Sequence, residues 1–258
     1  MNGVNKTLYI PLYGKSYVSK KGIILQDKMA ESIWKSEGFA LRGKSASKWL
    51  AYYMGMRSRV YDDWTRDRIL ENPEATVIHI GCGLDSRVER VGGARLWYDV
   101  DFAEVIAERR KYFKDSDRYT MLCADVRGAD WLNYVSGDTA IVIMEGVSMY
   151  LTPEELAGLF SNVWGRFGRV YLLMDCYTTF AAKMSKIKNP INDVGVTTVY
   201  GMDDPTVLTI SGMEYKGECD MTPERLIKEL STGERKLFSL LYAGKTARKM
   251  YKMYEYHK

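Results

Sequence analysis

The chain has 258 residues, 46% hydrophobic and 27% charged, with a formal net charge of +4 from 37 basic and 33 acidic side chains. That length suits one large domain, or one domain with a small appendage, and the composition excludes disorder as the main state. No apolar run approaches the ~20 residues that span a bilayer, and the first twenty residues lack the apolar core of a signal peptide. A cytoplasmic location with no membrane partner is therefore expected. Cys82, Cys123, Cys176 and Cys219 lie far apart without a CxxC pair, and His79 and His257 are the only histidines. Neither a disulfide scaffold nor a metal site is indicated.

Residues 1–70 are helix-rich, most clearly in SASKWLAYYMGMRSRVYDDWTRDRIL, where aromatic and methionine side chains are spaced to pack on a neighbour. Seventy residues alone bury little core, so this segment is expected to be a helical N-terminal cap on the domain formed by residues 71–258. From residue 76 onward, strand-like runs alternate with helical patterns. TVIHI (76–80), RLWYDV (95–100), YTMLC (119–123), TAIVIM (139–144) and RVYLLMD (169–175) read as five strands, each ending in a loop or an acid. Such alternation predicts an α/β fold with a mostly parallel, Rossmann-like sheet covered by helices on both faces.

Thr152-Pro153-Glu154-Glu155 supplies an N-cap, a proline at the first helical position and a capping-box glutamate, and Leu156, Leu159, Phe160 and Val163 follow at helical spacing. Residues 176–215 read as an irregular, lid-like insertion with a short helix in FAAKMSKIKNP. Thr222-Pro223 opens another helix with Gly233 as its stop, and YKMYEYHK is expected to close the sheet as an antiparallel edge strand. Residues 244–258 hold Lys245, Arg248, Lys249, Lys252 and Lys258 against Glu255 alone. Interleaved tyrosines there suit nucleic acid, but a solvated helix face followed by an edge strand is the simpler account, and no nucleic-acid partner is expected.

The chemistry gathers at the strand ends, where open parallel sheets bind ligands. VIHIGCGLDSR runs from the first strand into Gly81-Cys82-Gly83 and then Asp85. A dinucleotide fingerprint would place glycine at position 86, where this chain has Ser86, and Asp85 repels a pyrophosphate. An ammonium-bearing ligand without phosphates fits better, and S-adenosylmethionine is such a ligand. Asp101, twenty residues beyond Gly81, is placed to accept from ribose hydroxyls, with Asp99 as second choice. Asp125 in CADV is placed to meet the adenine amino group while the next backbone N–H, that of Val126, donates to the ring. Glu145 in MEGVSMY falls near the first strand's loop. One acid at a strand end often caps the next helix; four at successive strand ends are harder to explain that way. His79, inside the first strand, reads as a packed histidine.

GCGLDSR, WYDVDF, ADVR and EGVSMYL, in that order and spacing, resemble the leucine carboxyl methyltransferase family, and TLYIPLYGKS and MRSRVYDDW resemble its bacterial branch of polyketide O-methyltransferases. The resemblance covers nearly the whole chain and thins after residue 180. It implies a class I S-adenosylmethionine-dependent methyltransferase. By the family pattern Gly81, Cys82, Gly83 and Asp85 border the methionine moiety, Asp101 takes the ribose, Asp125 and Val126 meet the adenine, and Glu145 faces the methionine end. Arg57 matches the arginine that pairs with the cofactor carboxylate, and Lys15 a basic residue of the N-terminal arm. Ser148 departs from an aliphatic position, which bears on the substrate more than on the cofactor.

Methyl transfer from a sulfonium is an in-line displacement in which alignment and removal of water dominate. A carboxylate acceptor is already ionised at neutral pH, whereas a phenol, with pKa near 10, needs a base. Two histidines in the whole chain lean toward a carboxylate acceptor, with a hydroxyl as the alternative, and the resemblance implies a small polyketide-like molecule. Tyr150, after the fourth strand, is the candidate for lining the acceptor site. The competing readings are an NAD-dependent oxidoreductase, disfavoured by Asp85 and Ser86, and a non-catalytic cofactor-binding protein. Oligomeric state has no signature in the sequence.

Overall fold

The structure, a computed structural model, describes residues 8–38, 40–185, 198–209 and 212–258. Three helices come first: α1 (Tyr9–Lys21), α2 (Lys28–Glu37) and α3 (Lys48–Glu71). Then follow β1 (Thr76–Ile80), α4 (Arg87–Val91), β2 (Leu96–Asp101), α5 (Ala103–Arg109), β3 (Tyr119–Cys123), β4 (Thr139–Met144), α6 (Pro153–Arg166) and β5 (Arg169–Tyr177). The chain continues through α7 (Thr179–Ser185), β6 (Glu214–Glu218), α8 (Glu224–Ile227), α9 (Thr232–Phe238), α10 (Lys245–Arg248) and β7 (Tyr251–His257).

The sheet order is β3-β2-β1-β4-β5-β7-β6, with β1 to β5 parallel and β7 antiparallel to both its neighbours. The order reverses between β1 and β4, which opens a crevice beyond their carboxyl ends. Two sequence expectations are corrected. The final strand is antiparallel but internal; the edge belongs to β6, whose EYKGE has no apolar alternation because an edge strand half in water needs none. The helix begun at Thr222-Pro223 stops at Ile227, and Gly233 lies inside α9 instead of ending α8. The expected irregular stretch 176–215 begins with the last residues of β5 and with α7. Its residues 186–197 and 210–211, and with them the middle of the expected lid and the IKNP end of its helix, lie outside the described residues.

Strand alternation divides the core. Val77, Trp97, Met121, Ile141 and Leu173 point to one face, with Tyr61 and Trp64 of α3. Ile78, Val100, Val142, Met144 and Leu172 point to the other, with Leu156, Leu159, Phe160 and Val163 of α6. Each such side chain contributes about 1.5–3 kcal/mol by leaving water. Helix α6 starts as its sequence predicts. Thr152 accepts from the Glu155 amide at 3.1 Å, and Glu155 accepts from the Thr152 amide at 2.9 Å.

Helices α1 and α3 cross at two glycines. A Cβ on Gly14 would lie 2.6 Å from Met54 Cβ, and one on Gly55 would lie 2.8 Å from Val18 Cγ2. Without those side chains the two backbones approach closely, and both Lys15 and Arg57 reach the carboxyl ends of β1 and β4.

Candidate cofactor and acceptor site

A cavity of about 630 Å³ lies over the crevice. The glycine loop after β1 forms its floor through Gly81, Cys82, Gly83 and Asp85; Glu145 and Tyr150 come from the segment after β4, Lys15 from α1 and Arg57 from α3. Eight of the eleven residues singled out in the sequence therefore meet at one cavity. Gly81 has φ +65° and sits against the next loop so tightly that a Cβ would be 2.2 Å from Val147 Cγ2. Only glycine fits there.

The acids and bases around the loop form one buried network. Asp85 receives Lys15 at 2.9 Å, Arg90 at 2.8 Å and Arg87 at 3.3 Å. Arg87 also meets Glu145, and Asp62 of α3 at 2.7 Å; Arg90 bridges Asp62 and Asp27. Arg57 is held by Glu145 at 3.1 Å, Asp175 at 3.3 Å and the Tyr251 hydroxyl at 2.9 Å. Burial pushes the Asp85 carboxyl up, but Arg87, Arg90 and Lys15 outweigh it and hold it well below the ordinary range. Glu145 is likewise raised by burial and more strongly lowered by Arg87 and Arg57, to about 2. Asp175 goes the other way: burial lifts it to about 6 despite Arg57.

Asp101 ends β2 beside the loop. Its Oδ2 accepts the Gly83 amide and its Oδ1 the Phe102 amide, both at 2.8 Å, and each oxygen keeps a lone pair. Burial lifts its pKa to about 6 against those two amides. Asp125 and Val126 follow β3 and, like Asp101, do not line the cavity. Asp125 is exposed and paired with Arg127, and Val126 packs into the core on the α6 side. Asp99 does not line the cavity: it accepts from Trp97 Nε1 at 2.8 Å and the Tyr119 hydroxyl at 2.7 Å, and it pairs with Arg109. His79 is buried between Asp99 and Arg87, where burial lowers its pKa. Ser148 donates to the Asp175 carbonyl and faces a second cavity under α6, not this one.

Three arginines escaped the sequence reading. Arg87 and Arg90 stand next to Asp85 in DSRVER, so opposite charges spaced along one short helix were a visible signal. Arg109 had none. From α5 it donates to the carbonyls of Gly83 at 3.1 Å and Asp85 at 2.6 Å, holding the loop from beneath. Also unforeseen is an aromatic wall: Tyr53 lies 5.3 Å from Tyr242 and 6.4 Å from Tyr251 between ring centroids, and Tyr177 lies 4.9 Å from Tyr251. The basic tail has become α10 and β7, with Arg248 on Asp220 and Lys252 on Glu218, both at 2.8 Å. No helix among the described residues is long and apolar enough to cross a membrane.

The fold is that of a class I methyltransferase. Over 95% of this chain and 97% of its own, the structure of magnesium protoporphyrin IX methyltransferase from Synechocystis PCC 6803 with bound S-adenosylhomocysteine superposes with a TM-score of 0.52 at 12% identity. The family model for leucine carboxyl methyltransferase matches residues 11–164, and the chain belongs to that family. It is 26% identical to the tetracenomycin polyketide synthesis O-methyltransferase TcmP of Streptomyces glaucescens, across 86% of this chain and 84% of the relative. It is 25% identical to the S-adenosyl-L-methionine-dependent methyltransferase dpfgK of Gibberella zeae, across 84% and 82%. The protein is thus an S-adenosylmethionine-dependent methyltransferase.

Proposed function

We propose that the protein transfers the methyl group to a carboxylate of a small, polyketide-like acceptor. One observation carries the carboxylate: among the described residues, the acids and the histidine that line the cavity are not tuned as bases. Asp85 and Glu145 are pinned by cations and lowered, and His79 is buried with a lowered pKa. An acceptor that arrives ionised needs only alignment and desolvation. The relative whose name contains polyketide O-methylation supports the acceptor class.

The residues fit the cofactor. Lys15, Arg57, Arg87 and Arg90 face Asp27, Asp62, Asp85, Glu145 and Asp175, four cations against five carboxylates. The excess of one carboxylate matches a ligand with an ammonium, a sulfonium and a carboxylate. The glycine loop with Cys82 and Asp85 takes the methionine end, Arg57 its carboxylate, and Glu145 and Lys15 flank it. Asp101 takes the ribose hydroxyls, and Asp125 and Val126 the adenine. When bound, the cofactor supplies an electrophilic methyl on a sulfonium. Tyr150 and the tyrosines beside it line the acceptor's place and exclude water. Helices α1 to α3 serve as the cap that closes over both.

A hydroxyl acceptor is the second reading, favoured by Asp175, which sits at about 6 and hydrogen-bonds Tyr251 on the cavity wall. Its proton would pass through the Tyr251 hydroxyl to Asp175. Incubation with methyl-labelled cofactor and a small-molecule extract separates the two. A methyl ester loses its label as methanol in mild alkali, as carboxyl methylation requires; a base-stable label would exclude an ester and overturn the carboxylate reading.

A further inference from the structure

We propose that the acceptor is a flat aromatic molecule bearing, besides the group that takes the methyl, a second anionic group that Lys44 binds at the cavity mouth. This rests on the methyltransferase reading above. The charges lining the cavity carry the argument. Lys15 faces Asp85 at 2.9 Å and Arg57 faces Glu145 at 3.1 Å, so the two acids of the lining are each taken by a cation. Lys44 also lines the cavity, is exposed, and makes no ion pair among the described residues.

Its neighbour Lys48 is no substitute, since Glu234 holds it at 3.0 Å and its ammonium lies 4.6 Å from the Trp49 ring centre. The backbone beneath Lys44 is fixed. Ser47 N–H donates to the Lys44 carbonyl at 3.1 Å, Ser45 Oγ to the Arg42 carbonyl at 2.7 Å, and the Tyr13 hydroxyl to the Ala46 carbonyl at 3.2 Å. A lone ammonium at the rim of a low-dielectric cavity draws anions and orients them on entry.

The aromatic wall supplies the other half of the recognition. Tyr53, Tyr177, Tyr242 and Tyr251 form a continuous set of ring contacts with centroid separations of 4.9–6.4 Å. Such faces favour a planar ring offset against them. The group held by Lys44 is not the one methylated, because an ammonium against a carboxylate lowers its nucleophilicity. The product therefore keeps one negative charge.

Calorimetry on protein saturated with S-adenosylhomocysteine tests this with two probes, 2,6-naphthalenedicarboxylate and 2-naphthoate. The dicarboxylate should bind roughly three- to fivefold more tightly, the size expected of an exposed ion pair. Lys44→Met should abolish that advantage, and Lys44→Arg should keep it, with affinity for S-adenosylhomocysteine unchanged in both. Equal affinities in the wild type, an advantage that survives Lys44→Met, or binding of neither probe would each overturn the proposal. Should Lys44→Met fail to fold, the wild type decides: the advantage must vanish in 1 M salt, and persistence there counts against Lys44. A wild type that does not bind S-adenosylhomocysteine would instead overturn the reading on which this one rests.

Discussion

Arg109 Nη1 donates to the Gly83 carbonyl at 3.1 Å, tying the glycine loop to the helix behind β2. The same guanidinium pairs with the buried Asp99 and accepts no competition from water. Arg109→Lys keeps one charge on Asp99 but loses the fork that reaches two loop carbonyls. The expected result is a loss of about 1–3 kcal/mol in stability, with S-adenosylmethionine affinity reduced by roughly tenfold or more. Thermal unfolding and calorimetry check it; unchanged affinity in a folded variant would show that the loop keeps its shape without Arg109.

That contact also marks how far the sequence could be read. The five parallel strands were legible because apolar runs of five to seven residues, each ending in a loop or an acid, have few other interpretations. The glycine loop, Asp85, Glu145 and Arg57 were legible through motifs. Arg109 was not, since an arginine in a helix ordinarily faces water, and only the three-dimensional path of α5 turns it under the loop. Edge strand β6 was missed for a related reason: Glu214, Lys216 and Glu218 point to solvent, and the strand is defined by pairing with β7. Lys44 carried no signal at all, because what distinguishes it is that no ion-pair partner stands beside it in space among the described residues.

Asp101 predicts a pH dependence. Its folded pKa near 6 lies above the ordinary 3.8 because burial disfavours the charge. In the ligand-free protein it therefore opposes folding at neutral pH, and that penalty fades as pH falls from about 6 through 3.8. On the proposed assignment the ribose hydroxyls donate to the ionised form, so cofactor affinity should fall as pH drops below about 6. Asp175 titrates in the same window, so Asp101→Asn is the control: it should bind about 2–4 kcal/mol more weakly at pH 7.5. The ratio of wild-type to variant affinity should shrink toward pH 5; a constant ratio would remove Asp101 from the ribose.

Gly14→Val should separate packing from chemistry. The new Cβ would meet Met54 Cβ at 2.6 Å, so α1 must move away from α3. Overpacking of this kind costs about 1–3 kcal/mol. Because Lys15 is the next residue and faces Asp85, cofactor affinity should fall as well, although no ligand group is altered. A lowered melting temperature with normal affinity would mean that Lys15 does not depend on the crossing.

Arg57→Lys is the most direct test of the cap's part in the site. The sequence alone predicts weaker cofactor binding with a normal melting temperature, the competing account being that Arg57 merely pairs with Asp62 or Asp63 on the cap surface and leaves affinity unchanged. The structure changes the second half of that expectation. Arg57 is 4% exposed and spans Glu145, Asp175 and the Tyr251 hydroxyl. A lysine keeps the charge but cannot reach three partners on three segments at once, leaving a buried carboxylate short of a donor. The variant should therefore lose about 1–3 kcal/mol of stability and at least about tenfold in S-adenosylmethionine affinity. Its Asp175, with the positive charge held farther away, should titrate above the wild-type value of about 6. In the wild type, S-adenosylhomocysteine should slow proteolysis within residues 1–70 more than within the sheet. Affinity within twofold of wild type, together with no protection of those residues, would assign Arg57 to holding the fold and leave the cofactor's carboxylate to another group.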